Sequence, residues 1–284
     1  MRFFASDVPK TAPERSRFHV LPVPYEKTVS YGGGTKHGPG AILKASSQLE
    51  RWDGLSDPGS EGIYTWPAID CSGKPERVIE LISLKVKEIL QLKKIPVVLG
   101  GEHTVTWGVI KGYLDAGVKD FGVVQIDAHA DLRDAYEGDK YSHASVMRRV
   151  VEAGVPLVQL GNRAYCEEER EARKKHKVTA HDALEIVPGN VMSVRLPKNF
   201  PSKVFFTVDV DGIDPSVLPA TGTPVPGGLT WYQTLGLFES VAKQRRLIGF
   251  DVMEFAPIKG FHAFDFAAAL LTYKLMGIVQ RCAR

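Results

Sequence analysis

Phe121-Gly122-Val123-Val124-Gln125-Ile126 runs straight into Asp127-Ala128-His129-Ala130-Asp131, and the reading of this stretch decides the fold. Its first half has the length of a strand and is apolar at nearly every position, without the alternation of a strand that keeps one face in water. Such a strand belongs in a sheet covered on both sides. Its second half changes chemistry abruptly, placing acid, imidazole and acid where the chain leaves the core. In an extended chain residues two apart point to the same face, so Asp127, His129 and Asp131 can converge.

The same arrangement recurs outward in both directions. Val97 to Leu99 leads into Gly100-Gly101-Glu102-His103, Val204 to Val208 into Asp209-Val210-Asp211, and Leu247 to Phe250 into Asp251-Val252-Met253-Glu254. Val20 to Val23 and Leu157 to Leu160 are further apolar runs of strand length. Segments of helical period lie between them. Pro75 to Leu92 carries Val78, Leu81, Ile82, Val86, Ile89 and Leu90 on one side and opens on a proline, which fits the first turn of a helix. Thr230 to Ala242 and Phe264 to Met276 have similar patterns. This alternation predicts an α/β fold, a single domain over 1–284, with a central, mostly parallel sheet and helices on both faces. Ligands of such sheets sit beyond the carboxyl ends of the strands, where these acids and histidines fall.

Composition narrows the class without naming a function. Over 284 residues, 44% hydrophobic and 24% charged is the make-up of an ordinary globule. The net charge of +3 is small and no dense basic block stands out, so neither nucleic acid nor an anionic membrane is an expected partner. Arg170 to Lys177 follows Glu167-Glu168-Glu169 and reads as a solvated, charge-laced helix. Cys71, Cys166 and Cys282 are far apart and form no C-x-x-C pair, which suits reduced thiols. The first residues reach Asp7 and Pro9 too soon for a secretory core. The apolar stretch Phe264 to Val279 is interrupted by Asp265 and Lys274 and falls short of the roughly 20 residues that span a bilayer. A cytoplasmic protein is expected.

Any one of these acids, met alone, would read as a turn residue or helix cap. D-x-H-x-D and D-x-D together, with His103 and Glu254 on other strands, read as a metal site. Four close carboxylates repel one another, and two divalent cations would offset them. Two histidines with four aspartates and no cysteine form a hard, oxygen-rich set that suits manganese better than structural zinc. Gly32-Gly33-Gly34-Thr35-Lys36 lacks the spacing of a phosphate-binding loop and reads as a turn.

With these motifs the chain resembles the ureohydrolase family of arginases and agmatinases. The resemblance extends to Asp211-Gly212-Ile213-Asp214-Pro215, Thr221-Gly222-Thr223-Pro224, Pro226 to Thr230 and Ser30 to Thr35 with Gly38-Pro39, and so covers most of the chain. It implies a three-layer domain with two manganese ions per subunit, held by His103, Asp127, His129, Asp131, Asp209 and Asp211. It further implies a bridging hydroxide that attacks a guanidinium carbon, a proton relayed by Asp131, a guanidinium anchored by Glu254, and His143 as the loop histidine that shuttles protons or orients substrate. A trimer or hexamer is implied as well.

The chain departs from arginases after D-x-H-x-D, where Leu132 to Lys140 is closer to agmatinases, and Gly161 to Cys166 lacks the arginase-like acid. The resemblance therefore points to a small cationic guanidine, agmatine first, cut to urea and putrescine in polyamine biosynthesis. N1-aminopropylagmatine and guanidinobutyrate are the alternatives, and Asp134 or Glu137 could receive the amine end. Two other classes fit the motifs less well. A single-metal deacetylase of related fold would need fewer ligands, and a non-catalytic relative acting as a binding protein would be expected to have lost some.

Overall fold

In the computed structural model, residues 1–4 and 6–283 are described. Strands β1 (Phe18–Val23), β2 (Ile63–Thr65), β3 (Ile95–Gly100), β4 (Phe121–Ile126), β5 (Leu157–Leu160), β6 (Thr179–His181), β7 (Lys203–Asp209) and β8 (Arg246–Met253) form one sheet. Their order is β2-β1-β3-β8-β7-β4-β5-β6, and every pairing is parallel. The expected mostly parallel sheet thus has no antiparallel member among the described residues. The six expected strands are all present, several of them longer at one or both ends. The two edge strands β2 and β6 went unpredicted because each is a three-residue, mixed-polarity segment with no run to read.

Helices α1 (Gly38–Ala45), α2 (Pro75–Gln91), α3 (Thr104–Asp115), α4 (Val146–Glu152), α5 (Glu167–Lys175), α6 (Ala183–Ile186), α7 (Trp231–Gln244) and α8 (His262–Arg281) join the strands. The expected helices have clear physical starts. Pro75 occupies the first turn of α2. Thr230 closes a capping box at α7, where its hydroxyl accepts from Gln233 N and the Gln233 side chain accepts from Thr230 N. The apolar stretch expected to fall short of a membrane span lies in a helix of 20 residues, long and apolar enough by composition to cross one. In this fold α8 is a core helix, with Leu271, Tyr273 and Leu275 fully buried.

Alternation along each strand sorts the core into two layers. Val124 and Ile126 of β4, with Phe206 and Val208 of β7, pack under α1, α7 and α8, where Phe238 stacks obliquely on Phe206 at 4.6 Å between ring centroids. Val123 and Phe205 face the opposite way, onto α2, α3 and α4. Burying one such apolar side chain contributes about 1.5–3 kcal/mol, so either layer alone accounts for tens of kcal/mol opposing chain entropy. The four strands that carry the acids and histidines, β3, β8, β7 and β4, are neighbours at the centre of the sheet.

One buried group makes stability depend on pH. His19 on β1 is fully buried; its Nδ1 accepts from Trp66 Nε1–H at 3.1 Å, so its Nε2–H donates to Pro13 O at 2.9 Å. Burial, aided by Lys94, holds its pKa below the ordinary 6.5. The unfolded chain therefore takes up a proton first as pH falls, and stability drops from about pH 6.5 down to the lowered folded value. In metal-free protein, His19→Gln should flatten the pH dependence of the urea midpoint over that window. Identical slopes for the two proteins would remove His19 as the cause.

Candidate metal centre

At the carboxyl ends of the central strands, four chain segments aim their polar side chains at one point. β3 ends on Gly100, and a Cβ on the next residue, Gly101, would sit 1.9 Å from the Tyr25 carbonyl oxygen, so only glycine lets the chain pass there. Glu102 and His103 follow, just before α3 begins. β7 ends on Asp209, whose carboxylate accepts from Asp211 N at 2.9 Å and turns the chain into a short 3₁₀ segment. The D-x-D pair therefore converges through a cap and not through an extended strand.

D-x-H-x-D converges differently from expectation too. The strand stops at Ile126; Asp131 has φ 54°, and Glu254, beyond β8, has φ 61°. A left-handed backbone at a residue other than glycine costs about 1–3 kcal/mol and persists where the surroundings over-determine it. These reversals swing Asp131 and Glu254 back over the site.

The result brings all six expected ligands together. His103 Nδ1 lies 3.1 Å from Asp127 Oδ2, 3.1 Å from Asp131 Oδ2 and 3.2 Å from Asp209 Oδ2. His129 Nδ1 lies 3.0 Å from Asp211 Oδ2 and 3.6 Å from Asp127 Oδ1. Two groups of possible ligand atoms result, His103-Asp127-Asp209 and Asp127-His129-Asp211, with Asp127 common to both. Asp131 closes the first group from the cavity side.

The chemistry of this donor set fits two divalent cations. His103 Nδ1 is buried without a hydrogen-bond partner, an expensive state for a polar atom. Its Nε2 meets the Thr207 hydroxyl at 2.9 Å. Nδ1 is therefore the ring atom that faces Asp127, Asp131 and Asp209; burial opposes charge on His103, yet these three carboxylates raise its pKa well above the ordinary 6.5. Charge balance points the same way. Burial, together with Asp211 and Asp127, pushes Asp209 well above the usual carboxylate range. Burial and Asp127 push Asp131 up to about 7. Burial opposes charge on His129, yet Asp127 and Asp211 raise it to about 12. A cluster that otherwise holds protons to balance its charge is one that cations can balance instead.

Above the cluster opens a cavity of ≈ 380 Å³, lined by His103, His129, Asp131, Asp209, Asp211, His143 and Glu254, with Tyr31, Tyr136, Tyr165, Arg133 and Glu169 on its walls. Glu254 is buried, accepts from His103 N at 2.6 Å, and is pushed well above the usual range by burial and by Glu102. His143 lies in a 3₁₀ turn ahead of α4, where burial lowers its pKa. Its Nδ1 meets Thr28 Oγ1 at 3.1 Å, and Tyr136 stands edge-on to its ring at 5.7 Å. Of the run Gly32 to Lys36 expected as a turn, the three glycines are loop while Thr35 and Lys36 enter a 3₁₀ helix, and Gly32 N donates to Gly222 O at 3.2 Å across the cavity rim.

Three sequence readings change. Asp134 and Glu137 do not line the cavity, and Asp134 instead pairs with Arg149 of α4 at 3.1 Å. The helix read as wholly solvated, α5, buries Glu169 and Arg173, spaced one turn apart. Glu102, quoted only as part of a motif, accepts from Thr28 N at 2.7 Å, Thr28 Oγ1 at 2.8 Å and Thr104 Oγ1 at 2.9 Å, so that Thr28 links it to His143. Its position beside His103 was the available signal. Arg163 gave none; its guanidinium donates to the carbonyls of Val225, Gly161, Gly212 and Asp211, tying the segment after β7 to the site.

Comparison with known proteins agrees with this geometry. A family model described as the arginase family matches residues 16–277. An N(1)-aminopropylagmatine ureohydrolase of Synechocystis sp. is 40% identical over 91% of this chain and 87% of its own. An agmatinase of Pyrococcus horikoshii is 29% identical over 99% and 98%. The crystal structure of the agmatine ureohydrolase of Thermoplasma volcanium superposes with a TM-score of 0.86 at 29% identity, over 99% of this chain and 95% of that one.

Proposed function

This chain belongs to the arginase family of binuclear metal-dependent hydrolases, and from that premise we propose that it cuts the guanidinium of an amine-bearing alkylguanidine, releasing urea and a polyamine. One observation carries the reading. Two His–Asp clusters that share Asp127 lie in the same cavity as Glu254, a buried carboxylate that forms no ion pair among the described residues. A guanidinium presents paired N–H groups that match a carboxylate, and among the described residues no Lys or Arg pairs with this one.

His103, Asp127, His129, Asp131, Asp209 and Asp211 would hold two ions, and a hard set without cysteine favours manganese. Ions bound there supply the Lewis acidity that makes water a nucleophile at neutral pH. The chain's own residues do the rest. Glu254 holds the guanidinium in place. Asp131, facing the cavity, accepts the proton of the attacking water and returns it to the departing nitrogen. His143, kept neutral by burial and held by Thr28, orients the substrate and exchanges the proton with solvent.

For the substrate, N1-aminopropylagmatine now ranks ahead of agmatine, the first expectation. The support is twofold. The relative named for it shares 40% identity, against 29% for the agmatinase of Pyrococcus horikoshii. The cavity wall also carries three tyrosines whose ring faces suit a long cationic chain, with the Glu169 carboxylate beside Arg133 at 4.0 Å.

The test is urea release by manganese-loaded protein on N1-aminopropylagmatine, agmatine, guanidinobutyrate and arginine, with a metal-free control and a count of bound ions. Metal-dependent turnover highest on N1-aminopropylagmatine supports the full proposal, and preference for agmatine restores the first expectation. One ion per subunit would favour the deacetylase class. Full metal loading without turnover would leave a binding protein.

A further inference from the structure

We propose that Arg173 of α5 is a positioning residue for the metal-binding segment, its guanidinium setting the direction of two amide side chains that hold Asp127 and the turn after it. The proposal rests on Asp127 being a metal ligand shared by the two clusters.

Arg173 is buried, with three sets of partners. Its Nε donates to Gln159 Oε1 at 2.8 Å, its Nη2 to Asn162 Oδ1 at 2.8 Å, and its Nη1 pairs with Asp182 at 3.0 Å. A guanidinium has donors only, so each amide must turn its oxygen toward Arg173 and its NH₂ away. Gln159 Nε2 then donates to Gln125 Oε1 at 2.6 Å and to Ala130 O at 2.7 Å. With its oxygen occupied, Gln125 presents Nε2 to Asp127 Oδ2 at 2.6 Å. Asn162 works in parallel: its Nδ2 donates to Asp127 O at 3.1 Å and to His129 O.

The chain of bonds therefore has one polarity from end to end, and the donor-only cation at its origin sets it. Without that cation Gln159 and Asn162 can flip, and Gln125 can turn its oxygen toward the Asp127 carboxylate, which repels it. The plane of Asp127 matters because Oδ2 faces the His103 group while Oδ1 faces the His129 group. The far end of the chain reaches the cavity mouth. Tyr165, on the cavity wall, donates its hydroxyl to Asp182 Oδ2 at 2.6 Å, and the Arg173 guanidinium lies 4.3 Å from its ring centroid. Every buried amide named here is fully buried, so water does not substitute for a lost partner.

The experiment is a calorimetric manganese titration of metal-free wild type, Arg173→Met, Gln125→Leu, the double variant and Asp182→Asn, with thermal unfolding of each metal-free protein alongside. Arg173→Met should weaken manganese binding roughly 10- to 100-fold, the usual cost of losing a group that supports a ligand. The double variant should bind no more weakly than Arg173→Met alone, because both act through one relay. Asp182→Asn, which keeps both amide contacts, should stay within about twofold of wild type. Wild-type affinity for both ions in Arg173→Met, or penalties that multiply in the double variant, would overturn the proposal. Should Arg173→Met not fold, Gln159→Leu with Gln125→Leu carries the same cycle. A wild-type protein that bound no manganese would instead remove the ligand reading on which the proposal stands.

Discussion

Asp127→Asn is expected to hold at most one manganese ion and to lose urea release by on the order of 10³-fold or more, because the acidity that two ions lend to water goes with the second ion. Among the described residues, Asp127 is the one carboxylate that belongs to both ligand groups. It is fully buried, and both its oxygens already accept, Oδ2 from Gln125 Nε2 and Oδ1 from His129 N, each at 2.6 Å. An asparagine has the shape but one acceptor only. Whichever way its amide turns, an NH₂ meets a donor, at about 1–3 kcal/mol for each buried group left unsatisfied. Ion counting by mass spectrometry of the native protein, with urea release on the same sample, checks it. Two tightly bound ions in the variant would show that Asp127 is not the shared ligand.

Glu254→Gln should do the opposite to the metals and nearly the same to the rate. Both ions should remain, since Glu254 belongs to neither ligand group, while kcat/KM falls roughly 10²- to 10³-fold. That corresponds to about 3–4 kcal/mol, within the range for breaking one side of a buried charge pair. The amide oxygen can still accept from His103 N, so the left-handed turn at Glu254 has no reason to relax. What disappears is the charge that faces the guanidinium. Steady-state kinetics with metal analysis decides it, and unchanged activity with both ions present would take Glu254 out of the site.

Much of this was legible in the residues because parallel strands buried on both faces write themselves as uninterrupted apolar runs. The change from Ile126 to Asp127, or from Val208 to Asp209, marks where such a strand leaves the core. The six central strands and the cluster of acids and histidines at their ends followed from that contrast, while the choice of six ligands among them came from the family resemblance. β2 and β6 did not, because edge strands of three residues are held by neighbours and carry no pattern of their own. Nor did Arg173 stand out. In sequence it sits in a run of charges indistinguishable from a solvated helix face, and only the packing of α5 against β5 shows which turn points inward.

By itself, then, the sequence determined the alternation of strand and helix, the gathering of acids and histidines at the strand ends and the family they resemble, since these depend on residue type and short spacing. Tertiary structure decided how those groups meet. The left-handed turn at Asp131, the cap at Asp209, the removal of Asp134 toward Arg149 and the relay from Arg173 to Asp127 join segments far apart in the chain. Such contacts depend on strand order and on which face of a helix is buried, and neither is written within any one stretch of residues.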